Sequence, residues 1–176
     1  MTSRRVVQFR AGVRASVVAA GLLTVLGAFA WASGLTGLFP SLGPSAYVLA
    51  VEPEAETSAP KRVVGSHAVG ALAGFLAYHA VADGLTVVRP HVPWSAASMA
   101  LAASGVLALA ITVVVMEAAD LRHAPACATT LIVALGLLTT ATQAAVIVVA
   151  VVVLVVAQRL LFRVQYRAAA WLSRGD

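Results

Sequence analysis

The sequence predicts an all-α polytopic membrane protein with four long transmembrane helices and two short, proline-started membrane segments. Three observations predict it. Apolar residues make up 61% of the chain and charged ones 11%, against about 45–50% and about 25% in soluble domains. The apolar excess comes in runs long enough to cross a bilayer. Eight of the twelve basic residues lie near the two ends, at Arg4, Arg5, Arg10, Arg14, Arg159, Arg163, Arg167 and Arg174, where they would anchor spans beside anionic lipid headgroups. The formal charge of +5 is therefore read as membrane anchoring. No basic-aromatic surface suggests nucleic acid, and none is expected as a partner.

Ala15–Ser33 is nineteen residues without a charge, about 29 Å as a helix and long enough to cross the hydrocarbon. Its position after "MTSRRVVQFRAGVR" resembles a leader peptide, but its length argues for a retained span. Val63–Ala82, Ser95–Met116 and Gln143–Phe162 are the other long spans. Residues 1–14 and 163–176 are then basic tails around a transmembrane domain of residues 15–162. Cys127 is the only cysteine, so no intrachain disulfide can form.

Two apolar segments are shorter, Leu38–Val51 and Ala124–Leu138. Each could cross fully or re-enter. If both cross, Lys61, Arg62 and Arg122 share the side of the N-terminal tail and only Arg89 opposes it. If both re-enter, the reverse holds, so the positive-inside rule favours six crossings with both termini cytoplasmic in the cell (inner) membrane. The plan long–short–long occurs twice. Three crossings per unit would turn the second unit upside down, as in inverted-repeat transporters, whose paired broken segments mark a binding site near the midplane.

The local chemistry of these segments suits a small anion. Proline lacks an N–H and pre-sets the first helical turn. Neighbouring amides are expected to stay free at the positive end of the helix dipole. Small residues (Gly43, Ser45, Ala46, Ala126 and Ala128) would let a ligand approach that backbone. The alternative is that proline and glycine merely start helices at an interface.

His67 shares a face with the small-residue stripe Ser66, Gly70 and Gly74, and is expected inside the bundle, lining a pathway or hydrogen-bonding a neighbouring helix. The same stripe is the expected contact if the protein forms a homo-oligomer. His123 is expected at the mouth of the second short segment, where it could meet a passing anion or cap the helix. Arg62 could draw anions to an entrance or act only as an orientation anchor. Thr129 and Thr130 could line a path or bond back within their own helix. Glu52, Glu54 and Glu56 read as a solvated loop. Glu117, Asp120 and His123 would be neighbours on a continuing helix, but no second ligand pair supports a metal. No cofactor and no catalytic constellation are expected, Cys127 included, since nothing places a base beside it.

Three stretches carry a family resemblance: "FPSLGPSAYVLAV", "APKRVVGSHAVGALAG" and "LRHAPACATTLIV". Their order and spacing resemble the signature stretches of HPP-family integral membrane proteins, over about Arg10 to Arg163. Pro40, Gly43, Ser45 and Ala46 match the family's P-x-G-A-S-A. Pro60, Arg62, Gly65 and His67 match P-R-N-x-x-G-G-H. His123, Pro125, Ala126, Ala128 and Thr129 match H-P-P-A-G-A-T-A. Pro44, Val63, Ser66, Ala124 and Cys127 depart from these patterns, so the chain resembles a divergent member. The family is usually described with four spans, and some relatives are associated with nitrite transport. The resemblance thus implies a transporter or channel for a small inorganic anion, nitrite being the candidate. The substrate-contacting set would be Gly43, Ser45, Ala46, Arg62, His67, His123, Ala126, Cys127 and Thr129. A non-transporting membrane scaffold or sensor subunit is the alternative. Some relatives carry a C-terminal regulatory domain, which is not expected here.

Overall fold

The computed structural model describes the backbone of residues 2–35 and 39–172, and the side chains of residues 4–35 and 39–164. Leu38 and Arg174 lie outside the described residues, and of Arg167 only the backbone is described. The described chain is all helical: α1 Thr2–Ser33, α2 Leu42–Val51, a single 3-10 turn Glu56–Ser58, α3 Pro60–Val81, α4 Ala96–Ala118, α5 Ala126–Ala134 and α6 Ala141–Leu172. Four helices are long and apolar enough to cross a membrane: α1, α3, α4 and α6. The first and last run further than the apolar runs predict. Nothing in "TSRRVVQFRAGVR" breaks a helix, so α1 continues back through the four arginines. α6 likewise continues past Phe162 into the expected tail.

Contacts at the helix ends fix the path of the chain. Ala11, Arg14 and Ala15 of α1 share a cleft with Ala50, Val51 and Pro53 at the end of α2. The following turn shares another with Gln158, Arg159 and Arg163 of α6. Arg62, at the start of α3, bonds Asp120 just after α4. All of these lie at one face of the bundle, the first face. At the second face, Gly34 and Leu35 meet Thr142 and Gln143, and His79 Nε2 donates to Thr139 O at 3.0 Å. α1 and α3 therefore both run from first face to second, and residues 34–59 carry the chain back between them. α4 and α6 both run from second face to first, with residues 119–140 as the return. Each short segment traverses the layer, and among the described residues each contributes one short helix, α2 or α5.

The short helices occupy opposite halves. α2 ends at the first face, and its Ser45 meets His67, about 10 Å along α3 from its start at Pro60. α5 starts beside Gly70 and ends beyond Gly74, where Leu135 O accepts from Val87 N. Both helices thus begin near the middle level of α3.

α3 is the central helix. One side of it joins an apolar core with an α1 stripe (Val18, Leu22, Leu26), α2 (Leu42, Ala46, Leu49) and an α6 stripe (Ile147, Val151, Leu154). Its other side packs closely on α5 and α4 through small residues. A Cβ on Gly70 would lie 2.7 Å from Thr130 Oγ1 and 2.9 Å from Ala126 O. One on Gly74 would lie 2.7 Å from Thr130 O. The Ser66–Gly70–Gly74 stripe is therefore consumed inside the chain, and the expectation that it faces a second copy is overturned. The four-residue period predicts close approach but not which helix approaches. The outward faces remain apolar, with Val17, Val25, Met99, Val106, Val114, Val149 and Val156 exposed, as suits surfaces that meet lipid.

Irregular backbone at membrane depth must have its polar groups satisfied within the protein. The stretch between α4 and α5 meets this condition. Ser66 Oγ donates to Leu121 O at 2.6 Å, and His123 Nδ1 donates to Thr57 O at 2.8 Å. The expectation of free amides at the start of α5 is corrected. The N–H groups of Ala126, Cys127 and Ala128 donate to His123 O, Ala124 O and Pro125 O at 3.0–3.1 Å. A tight first turn, begun by Pro125, closes them. Leu42 N–H of α2 likewise donates to Phe39 O.

Candidate functional site

Three segments distant in sequence meet on one hydroxyl. Ser45 Oγ of α2 lies 2.9 Å from His67 Nε2 of α3 and 3.1 Å from His123 Nε2, which precedes α5. His67 Nδ1 lies 2.7 Å from Thr129 Oγ1 of α5. Ser45, His67, His123 and Thr129 are all fully buried. The two imidazole rings tilt toward each other with centroids 5.5 Å apart.

The sequence explains each placement. His67 stands one residue after Ser66 and three before Gly70, so the small stripe that lets α5 approach also carries the ring into that contact. Pro125 ends the irregular stretch and starts α5 immediately after His123. The left-handed backbone at Asp120 (φ 52°) turns the chain inward after α4. His123 is consequently deeper than the segment mouth at which it is expected, folded under the Glu56–Ser58 turn. Ser45 sits one helical turn after Ser41, whose carbonyl is 3.3 Å from Ser45 Oγ.

The directions of these hydrogen bonds are determined. Thr57 O can only accept, so neutral His123 carries its hydrogen on Nδ1 and its Nε2 accepts. Ser45 supplies the hydrogen to that Nε2. Ser45 Oγ then accepts from His67 Nε2–H, and His67 Nδ1 accepts from Thr129 Oγ1–H. With both rings neutral, this assignment makes every one of the four contacts a hydrogen bond. The row reads Thr129→His67→Ser45→His123→Thr57.

Close by, the Thr112 and Thr130 hydroxyls bond each other at 2.9 Å; one donates to the other, and the second donates back to a carbonyl of its own helix, Ala108 O or Ala126 O. One buried hydroxyl is left over: Ser41 Oγ, fully buried, has no hydrogen-bond partner among the described residues. A buried hydroxyl without a partner costs about 1–3 kcal/mol, which a bound polar ligand would recover.

The other expected site residues are placed elsewhere. Arg62 is a clasp: its guanidinium bonds Glu56 at 2.8 Å and Asp120 at 2.7 Å, so its charge is shared by two carboxylates at the first face and is not free to draw an anion inward. Ala46 lies in the apolar core between α1 and α6. Ala126 and Cys127 pack against Met116 and Leu121 of the α4 side. Gly43 is half-buried with open space beside it. Glu117, Asp120 and His123 do not share a helix face, because α4 ends at Ala118. Glu117 pairs with Arg122, Asp120 with Arg62, and His123 with Ser45. Among the described residues, no group of three or more His, Cys, Asp or Glu could hold a metal ion. Sequence reasoning missed Ser41, Thr57 and Thr112, the partner of Thr130. Ser41 was within reach, since it precedes Ser45 by one turn. Thr57 acts through its carbonyl, which no residue type announces.

A search of the curated proteins finds no match to this chain, and a search of the solved structures finds none either. A family model described as HPP, transmembrane region, matches residues 3–169. That span contains every helix crossing and all the residues of the buried cluster, and by it the chain belongs to the HPP family of transmembrane proteins.

Proposed function

We propose that the chain is a transporter or channel for a small inorganic anion, with nitrite the candidate that the resemblance to HPP relatives implies. One observation carries the reading. At the level where both short helices begin, four segments converge on a buried set of imidazoles and hydroxyls, and one further hydroxyl, Ser41 Oγ, is left without a partner. Buried polar and ionisable groups at membrane depth are costly, and such groups mark substrate or proton pathways. The two helix starts add the positive ends of their dipoles to the same level.

The opposed directions of the two long–short–long units support an inverted repeat in chain path. The packing is not symmetric: α5 lies tightly on α3, whereas α2 barely touches α6. An unequal pair of half-helices suits a site that one side closes more firmly than the other. On this reading both termini face the cytoplasm of the cell membrane, because the basic residues of α1 and of the end of α6 share the first face with Lys61, Arg62 and Arg122.

The test is flux into proteoliposomes of the purified chain. Nitrite uptake at least about tenfold above empty vesicles is expected, with clear loss in His67→Ala. Uptake equal to that of empty vesicles for nitrite, nitrate and chloride alike would overturn the reading. A second reading, a non-transporting scaffold or sensor subunit, is favoured by the closed bonding of both rings within the chain. It predicts that same absence of flux.

A further inference from the structure

We propose that the row Thr129–His67–Ser45–His123 takes up one proton together with the anion, so that the proton is a co-substrate; this rests on the anion reading above. The neutral row runs in one direction and ends on Thr57 O, a carbonyl that cannot pass a proton on. An added proton therefore stays on the row. It has two places to rest.

On His123, the new Nε2–H donates to Ser45 Oγ, and the Ser45 hydrogen turns to Ser41 O, which lies within reach at 3.3 Å. On His67, the new hydrogen sits on Nδ1 and donates to Thr129 Oγ1. Thr129 then changes from donor to acceptor, and its own hydrogen must find another partner. Protonation of His67 thus produces a positive ring and a newly free hydroxyl donor at the same point. Both favour an anion there, and the anion in turn favours the proton, since such coupling is reciprocal. The two rings cannot both be charged, being 5.5 Å apart in buried surroundings. The balance is simple. One proton and one monovalent anion bind from one side, the same two leave on the other, and the neutral row is restored with no bond of the anion broken.

The charged groups around the row leave it alone. Arg62 is held by Glu56 and Asp120, and Arg122 by Glu117. From α5, Cys127 packs among Met116 and Leu121. From α6, Gln158 and Arg159 line the cavity beside Glu54 and Glu56. From α2, Tyr47 is exposed. Among the described residues, none of these bonds either ring. The one titratable neighbour of each ring is thus the other ring, and their bonding partners are the Ser45 and Thr129 hydroxyls and Thr57 O.

The experiment is a pH titration of the full chain in lipid nanodiscs, followed by nitrogen-15 NMR of labelled histidine, with sodium nitrite or sodium gluconate. His67 and His123 are expected to share one proton, with a midpoint that nitrite raises by about one pH unit, a tenfold coupling. Thr129→Val is expected to keep the one-proton titration and lose the nitrite shift, and Thr129→Ser to retain it. A midpoint that nitrite does not move, uptake of two protons by the pair, or a full shift in Thr129→Val would each overturn the inference. Nitrite flux with an unmoved titration would overturn proton coupling alone. A moved titration without flux would overturn transport and leave the linkage standing.

Discussion

His67 and His123 come from opposite halves of the chain and bond the same hydroxyl, Ser45 Oγ, at 2.9 and 3.1 Å. The arrangement is asymmetric in what each ring does with its other nitrogen. His123 donates outward to a backbone carbonyl, and His67 accepts from a side chain of α5. One ring is fixed by the chain path, and the other is poised on a rotatable hydroxyl.

Ser45→Ala tests that shared point. The substitution leaves the His67 Nε2–H and the His123 Nε2 lone pair both buried and unpartnered. Each costs about 1–3 kcal/mol when orphaned, so a loss at the upper end of that range or beyond is expected. Resistance to unfolding in mixed detergent micelles measures it. If the anion reading holds, flux falls with it. Unchanged stability would mean that the two rings find each other or water without help from the hydroxyl.

Glycines 70 and 105 make a matched pair for packing. A Cβ on Gly70 would meet Thr130 Oγ1 and the Ala126 carbonyl at 2.7 and 2.9 Å, so α5 must shift. Gly70→Ala is expected to cost about 1–3 kcal/mol, the usual penalty of overpacking. At Gly105 the nearest atom is Leu135 Cδ2 at 3.4 Å, an ordinary contact. Gly105→Ala is expected to be neutral or to stabilise by up to about 1 kcal/mol, by relieving a glycine in mid-helix. Thermal unfolding of the two variants side by side separates the outcomes, and equal effects would count against the close α3–α5 approach.

Much of the fold was legible because membrane burial writes itself into composition. Four long apolar runs matched the four long helices to within a few residues at their bilayer ends, and Pro40, Pro44 and Pro125 marked the two short ones. Polarity alone put His67 inside. The meeting of Ser45, His67 and His123 was not derivable from spacing, because it depends on how the irregular stretch after α4 folds back under the turn at Glu56–Ser58. Arg62 read as an anchor or an entrance because Glu56 and Asp120 approach it only in three dimensions. The amides of α5 read as free because proline marks where a helix starts. It does not say that the preceding carbonyls close the first turn. Gly70 and Gly74 announced a close contact without naming its partner.

The clasp at Arg62 ties the turn before α3 to the turn after α4. Its two acceptors are largely exposed, so each pair contributes at most about 1 kcal/mol. Its effect should therefore appear in local opening more than in global stability. Cys127, half-buried just beyond that turn, reports on it. Arg62→Gln is expected to raise the rate of Cys127 modification by N-ethylmaleimide severalfold while leaving the unfolding midpoint nearly unchanged. An unaltered rate would show that the α4–α5 turn is held by Ser66 and His123 alone.

The path of the chain makes a prediction about sidedness that does not depend on transport. Residues 34–59 return the chain from the second face to the first, so Glu54 and Arg122 should be reached from the same side as Arg5, and Val88 and Thr140 from the other. Single cysteines at these five positions, in a Cys127→Ala background, can be labelled in sealed vesicles with a membrane-impermeant maleimide. The pattern expected is Arg5, Glu54 and Arg122 together against Val88 and Thr140. Were the short segments hairpins that re-enter without crossing, Glu54 would label with the end of α1, opposite Arg5. Arg62 and Asp120 share a face in either arrangement, because α3 and α4 are joined at their other ends, so only the side of Glu54 relative to Arg5 separates the two. The labelling of Glu54 therefore decides whether residues 34–59 cross the membrane and so whether α1 and α3 run in the same direction.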